Sequence, residues 1–324
     1  MKKLLTLILS ALIVLSLAAC TVEPSGNNTS ENQTNSTETG NTEESTQSGN
    51  TEESTQSGST GENKDQESNN EITFSGLVAV DNSECVIKIT KIDSNGLLGY
   101  KLKLQLENKS DDKTYMFSLE NAAINGVQCD PFFATEVAAG KKATDEITFY
   151  KNDLSESGIE DYTDIELTFR VYDSNDWTAD NIAQETVHIY PYGEDKAVQY
   201  VRTPQAEDNI IVDNEYITVI VTGYADNPIW GYSVNVFLLN KTNKQIMFTV
   251  DDASVNDYMA DPFFAKSVSG GKCAFDSISW SDSTLDEIEV TTIEKIEFKL
   301  RAYNYDNWLD DDFVNQAVTL TPKK

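Results

Sequence analysis

The chain has 324 residues with 54 Asp and Glu against 24 Lys and Arg, a formal charge of −30, one His and four Cys. That acid excess argues against a nucleic-acid binder, which needs a basic patch to displace phosphate counterions. A single His excludes any site built from several imidazoles, and the length predicts about two domains.

Lys2 and Lys3 open a short basic segment, and Leu4 to Leu17 is apolar apart from Thr6, Ser10 and Ser16. The run is short for a membrane span and ends in small residues, so residues 1–19 read as a cleaved export signal. Leu17-Ala18-Ala19-Cys20 resembles the lipobox of bacterial lipoproteins. The resemblance implies cleavage before Cys20 and a diacylglyceryl group on its thiol; an ordinary secretory signal with an incidental Cys is the alternative. Two acyl chains hold a protein stably on a bilayer. The expected location is therefore the extracellular face of a bacterial cell membrane, with the lipid at Cys20 as the membrane partner. Thr321-Pro322-Lys323-Lys324 adds no apolar tail.

Residues 20–71 are the lipidated Cys and a linker dominated by Ser, Thr, Asn, Gly, Glu and Gln, and Gly40 to Ser48 recurs unchanged at Gly49 to Ser57. Such a composition buries too little apolar area to offset its ordering entropy, so disorder is expected. The functional reading is an acidic tether that lifts the folded part off the bilayer and into the wall.

The remainder is an internal duplication. Val80-Asp81-Asn82 matches Val212-Asp213-Asn214, Gly99-Tyr100 matches Gly231-Tyr232, and Asn108-Lys109 matches Asn240-Lys241, all 132 residues apart. After a one-residue gap between Ser110 and Tyr115 the offset is 131. It then pairs Asp130-Pro131-Phe132-Phe133-Ala134 with Asp261-Pro262-Phe263-Phe264-Ala265, Arg170 with Arg301, Tyr172 with Tyr303, and Trp177 with Trp308.

Each copy is all-β by pattern. Tyr100, Leu102, Leu104 and Leu106 alternate with Lys101, Lys103, Gln105 and Glu107, the period of a half-buried strand. Ile165, Leu167, Phe169 and Val171 define a second strand, and further strands are expected at 84–92, 113–119, 132–138, 144–150 and 184–190. Asn95-Gly96 and Asn125-Gly126 are short-hairpin signals. Asp153 to Asp161 and Ser283 to Glu289 suit helical turns crossing between sheets. Some seven short strands per copy predict two tandem immunoglobulin-like β-sandwich domains, 72–190 and 209–324. They form two beads joined by the segment 191–208, which contains Pro191 and Pro204.

With the lipobox, the Ser/Thr/Glu stalk, the Asn-Lys-Ser/Thr loop, Asp-Pro-Phe-Phe-Ala and the Arg-x-Tyr…Trp strand end, the chain resembles Gram-positive bacterial lipoproteins with tandem immunoglobulin-like domains of unknown function. The resemblance implies location and fold and brings no catalytic residues with it.

Catalytic chemistry is poorly supported. There is no Gly-x-Ser-x-Gly elbow, His188 is the one imidazole, and no Cys or His spacing suits zinc. Cys85 and Cys129 share a copy and are the candidate bridge, but their counterparts are Ile217 and Ala260, so the fold does not depend on one. Calcium, which takes six to eight oxygen ligands, is the better chemical expectation. Its candidate ligands are Asp173, Asp176 and Asp180 in the first copy and Asp306, Asp310, Asp311 and Asp312 in the second. A solvated acidic loop is the alternative.

Candidate ligand-contact residues are the recurring Phe132, Phe133, Arg170 and Trp177, with Phe263, Phe264, Arg301 and Trp308. Neighbours on one strand cannot both face inward, so one Phe of each pair is exposed or the Pro puts both on a turn. A structural ion pair with a nearby acid is the expected role of each Arg. The functional expectation is a lipid-anchored, non-catalytic binding, adhesion or spacer protein of the envelope, its partner a cell-wall polymer or another envelope protein. The alternatives are a wall-acting enzyme, with converging carboxylates at the domain junction, and an accessory subunit of a membrane transporter or sensor.

Overall fold

The computed structural model describes residues 71–150, 154–227 and 231–322. The expected export signal, Cys20 and the repeated linker lie outside the described residues. All described residues belong to one unit spanning Gln66–Lys324.

The duplication is visible strand by strand. The first copy runs β1 (Leu77–Asp81), β2 (Cys85–Asp93), β3 (Gly99–Asn108), β4 (Tyr115–Ile124), β5 (Val127–Cys129), β6 (Ala134–Val137), β7 (Lys142–Tyr150), β8 (Ile165–Asp173) and β9 (Ala183–Ile189). The second repeats it as β10 (Asn209–Asp213), β11 (Ile217–Asn227), β12 (Gly231–Asn240), β13 (Ile246–Val255), β14 (Tyr258–Met259), β15 (Ala265–Val268), β16 (Cys273–Trp280), β17 (Ile296–Asn304) and β18 (Val314–Leu320).

Each copy therefore has two strands beyond the seven expected. Those missed, β1 and β5, are short, and a register shift between Val78 and Val80 hides the alternation of β1. The strand expected from 132 starts at Ala134. A short helix α1 (Asp282–Glu287) joins β16 to β17, with the Ser281 side chain accepting from Thr284 N–H at 3.2 Å. A single 3₁₀ turn, Ser155–Ser157, occupies the same crossing in the first copy.

In the first copy β1-β2-β3-β7 form one sheet, and β4 pairs β8, which pairs β9, in another. Alternate residues of both sheets, among them Ile87, Leu104, Phe117 and Phe169, meet in one core. The second copy repeats both pairings around its own core of Val219, Val236, Phe248 and Leu300. Register shifts recur at matching places, Ile89/Lys91 with Val221/Gly223 and Leu119/Asn121 with Asp251/Ser254. Inserted residues of this kind set local twist, which explains their retention in both copies.

Several recurring motifs are braces of this fold. Buried Asn108 donates to the carbonyls of Lys113 and Val137, both at 2.8 Å, while Asn240 donates to those of Lys244 and Val268 at 2.7 and 2.8 Å. The next residue, Lys109 or Lys241, reaches the Asp of the Val-Asp-Asn motif at 2.8 or 2.6 Å. At Gly99, φ is 155°, and at Gly231 it is 73°. A Cβ at either would press on the carbonyl oxygen of Phe149 or Trp280.

The expected pair of beads shares a sheet. β5 lies beside β16 in parallel, Cys273 N–H donating to Gly126 O at 3.1 Å, so one nine-stranded sheet passes through both copies. Gln128 donates to Ser267 O at 2.8 Å and accepts from Ser269 N–H at 2.7 Å. Lys272 pairs with Glu166 at 2.5 Å and Lys266 with Asp130. Phe237 and Cys273 of the second copy complete the first copy's core. The joining segment packs as well: Tyr200 N–H donates to Asn125 O at 2.7 Å, and its ring meets Phe275 edge-on at 6.0 Å.

Cys85 and Cys273 are buried free thiols, so the Cys85–Cys129 bridge is not formed. Burial pushes their thiols up to about 11 and about 12, respectively.

Candidate ligand-contact site

β8 and β17 place their apolar residues inward and send Arg170 and Tyr172, or Arg301 and Tyr303, to the outer face. The Arg170 guanidinium lies over the Tyr172 ring at 4.5 Å, and Arg301 over Tyr303 at 4.3 Å. Such stacks hold a cation flat against an aromatic face. The chain then turns outward, and the loop beyond carries Trp177, 70% exposed, or Trp308, 65% exposed.

These loops are held by local hydrogen bonds. Asp173 accepts from Asn175 N–H at 3.0 Å, Asp176 accepts from the Thr178 hydroxyl at 2.7 Å, and Ile182 N–H returns to Val171 O at 2.8 Å. In the second copy Asp310 accepts from Asn304 and Asn307 at 3.0 and 2.5 Å, and Phe313 N–H returns to Ala302 O at 2.8 Å. Arg170 also donates to Trp177 O at 3.4 Å, tying stack to loop.

The shared ion pair expected of the two arginines exists in one copy. Arg301 Nε donates to both Asp312 carboxylate oxygens at 2.9 and 3.0 Å, whereas Arg170 Nε donates to Asn181 at 2.8 Å, Asn181 standing where the duplicate has Asp312. Arg170 takes no carboxylate partner among the described salt bridges. The guanidinium holds the Asp312 carboxyl below its ordinary value, and a hydrogen bond from Asn315 adds to this.

The candidate calcium ligands do not converge. Among the described residues no group of three or more His, Cys, Asp or Glu side chains is placed to hold a metal ion. Asp173 is engaged by the Asn175 backbone and by Lys113, which hold its carboxyl below the ordinary value. Asp312 is engaged by Arg301. Asp180, Asp306 and Asp311 are exposed. Within the two loops, only Asp180 and Asp311 occupy equivalent positions at the offset of 131.

The Phe pairs resolve by alternation. Phe132 and Phe263 are exposed at 82% and 77%, Phe133 is buried edge-on against Phe169 at 6.2 Å, and Phe264 packs on the second core. They precede β6 and β15. His188 is exposed on β9, its Nδ1 at 2.7 Å from Asp164 and its ring stacked on Tyr190 at 5.7 Å. The junction of the copies forms a groove of about 590 Å³ whose lining includes Tyr200, Arg202 and Glu156, whose carboxyl is pushed above its ordinary value by burial and by the nearby Asp276. Sequence reading missed Tyr172 and Tyr303 as stacking partners; the two-residue step from each Arg, which puts both on one strand face, was the available signal.

No protein-family model and no curated protein matches the chain. Among solved structures it is similar to red sea bream transglutaminase, at 12% identity over 76% of this chain and 32% of that one, with a TM-score of 0.23. It is also similar to an exo-chitosanase of Amycolatopsis orientalis, at 10% identity over 71% of this chain and 26% of that one, with a TM-score of 0.19. The chain thus spans a third or less of either protein. Its described residues are mostly β-sheet, in three sheets with little helix. Among the described residues no helix is long and apolar enough to cross a membrane.

Proposed function

We propose that this is a lipid-anchored protein of the bacterial envelope whose two copies are immunoglobulin-like β-sandwich domains, and that it binds rather than catalyses. The lipobox at Cys20 supports the location. Two sheets around one core in each copy support the fold, as does the strand order. β3 pairs with β7 across a crossover and β8 lies between β4 and β9, matching the B–E and C–F–G pairings of that architecture.

The observation that carries the binding reading is the duplicated exposed Trp on a hydrogen-bonded loop, next to an Arg–Tyr stack. Trp, Tyr and Arg are the residues that most often dominate binding energy, and a preset loop loses little entropy on contact. The partner is a component of the envelope.

The test is pull-down by isolated wall polymer and, separately, by solubilised membrane proteins. Trp177→Ala/Trp308→Ala is expected to lower capture at least tenfold with an unchanged melting temperature. Capture that survives both substitutions would remove the Trp loops from the contact.

A further inference from the structure

The outer face of the β1-β2-β3-β7 sheet has a character that the duplicate's does not share. Lys88 and Lys91 on β2, Lys101 and Lys103 on β3, and Lys142 on β7 all lie on this face, away from the core. Lys101 pairs with Glu146 and Lys142 with Glu107, and Asp93 stands opposite Lys101. Lys88 sits within reach of Asp81, which Lys109 already holds. Lys91 and Lys103 have no carboxylate partner among the described salt bridges, and the register sets them directly opposite each other. Like charges in that position repel, although Glu146, opposite Lys103 on β7, offsets this in part while pairing with Lys101.

The second copy shows that the fold does not need these charges. At the positions of Lys88, Lys91, Lys101, Lys103 and Lys142 it has Ile220, Gly223, Ser233, Asn235 and Cys273. There Ile220 and Cys273 pack against the first copy's core, so the equivalent face is partly an internal interface. In the first copy Lys88, Lys91 and Lys103 are exposed beside a shallow groove of about 350 Å³ lined by Lys88, Gln105, Glu107, Lys142 and Thr144. Cations are thus concentrated on one open face of a chain whose charge is −30.

We propose that this face binds a linear phosphate polymer. Same-face residues repeat every ~6.8 Å along a strand and neighbouring strands lie ~4.8 Å apart, so the lysines form a narrow stripe. An ammonium suits phosphate as a point charge. A thin polymer follows such a stripe, whereas a planar anionic bilayer would also meet the acidic surface around it and be repelled. The surface is separate from the Trp loops and independent of their role.

The test uses residues 20–324 with Cys20→Ser, which keeps the Gln66–Lys324 unit entire. Linear polyphosphate is the probe, titrated at several salt concentrations. Binding is expected to weaken with salt by about 0.7 log units per log unit for each phosphate neutralised. Lys91→Gln/Lys103→Gln is expected to weaken it at least tenfold and flatten that slope, with a melting temperature close to the parent's. Lys196→Gln/Lys299→Gln, the same charge change elsewhere, is expected to alter it less than twofold. Absence of binding, equal loss in both variants, or binding to phosphatidylglycerol vesicles without binding to polyphosphate would each overturn the proposal.

Discussion

Asp276 sits partly buried on β16, and burial pushes its carboxyl above the ordinary value. The Ser277 N–H and Lys266 pull it back, while Asp130 pushes it further up. A group raised in the folded state binds its proton more tightly there than in the unfolded chain. The stability it contributes is complete below the unfolded carboxylate value, about 3.9, and is lost as pH rises through the folded one. Asp276→Asn is therefore expected to melt above the parent at pH 7, with the difference closing towards pH 3; a pH-independent difference would contradict this. Asp312 has the opposite sign. Arg301 lowers its carboxyl, so its contribution is present above the unfolded value and fades as pH falls through the folded one. The arginine motif was readable from the repeat, but its partners were not. Asn181 and Asp312 lie eleven residues downstream across a loop, and nothing local to either strand announces them.

Two hairpins illustrate what a short motif can and cannot fix. Asn125 and Gly126 both have positive φ, 51° and 86°, and turn β4 directly into β5 as their sequence predicts. Asn256-Asp257 makes the same turn, φ 49° and 70°, without a glycine to signal it. Asn95-Gly96 does not: neither residue has positive φ, and five residues separate β2 from β3. The difference lies in distant partners. Asn125 Oδ1 accepts from Thr163 N–H, the Thr163 hydroxyl and Asp164 N–H at 2.8–3.0 Å, and its Nδ2 donates to Asp161 O at 2.8 Å. Asn125→Ala is expected to cost on the order of 3 kcal/mol, since several net bonds of about 1 kcal/mol each are lost and buried groups are left unpaired. Asn256→Ala, at a half-buried turn with three such bonds, is expected to cost less. Urea unfolding of the two variants checks the order.

The copies are joined by more than chain continuity. Phe237 of the second copy is 5% exposed inside the first copy's core and lies edge-on to Phe275 at 5.3 Å, with the Arg202 guanidinium 5.4 Å from its ring. Phe237→Ala is expected to cost about 3–5 kcal/mol, the range for emptying a buried aromatic site. It is also expected to separate one calorimetric transition into two, because the shared core couples the unfolding of both copies. A single transition shifted down would place the coupling in β5, β16 and their hydrogen bonds instead.

Alternation in β3 and β8, the repeat offset and the recurring Gly, Asn and Arg positions determined an all-β, duplicated chain, because strand burial writes a period of two into any sequence that folds this way. The same rule limited each Phe pair to a division or a turn, but left open which, and it did not settle the exposure of either Trp. Only the tertiary structure decided that Gly126 meets Cys273, that Arg170 rests on an amide and Arg301 on a carboxylate, and that the loop acids stay apart. It likewise decided that one copy's sheet face is partly packed while the other's holds lysines in the open. These depend on which surfaces of two similar folds come together, and that choice is made by residues far apart in the chain whose pairing leaves no periodic mark.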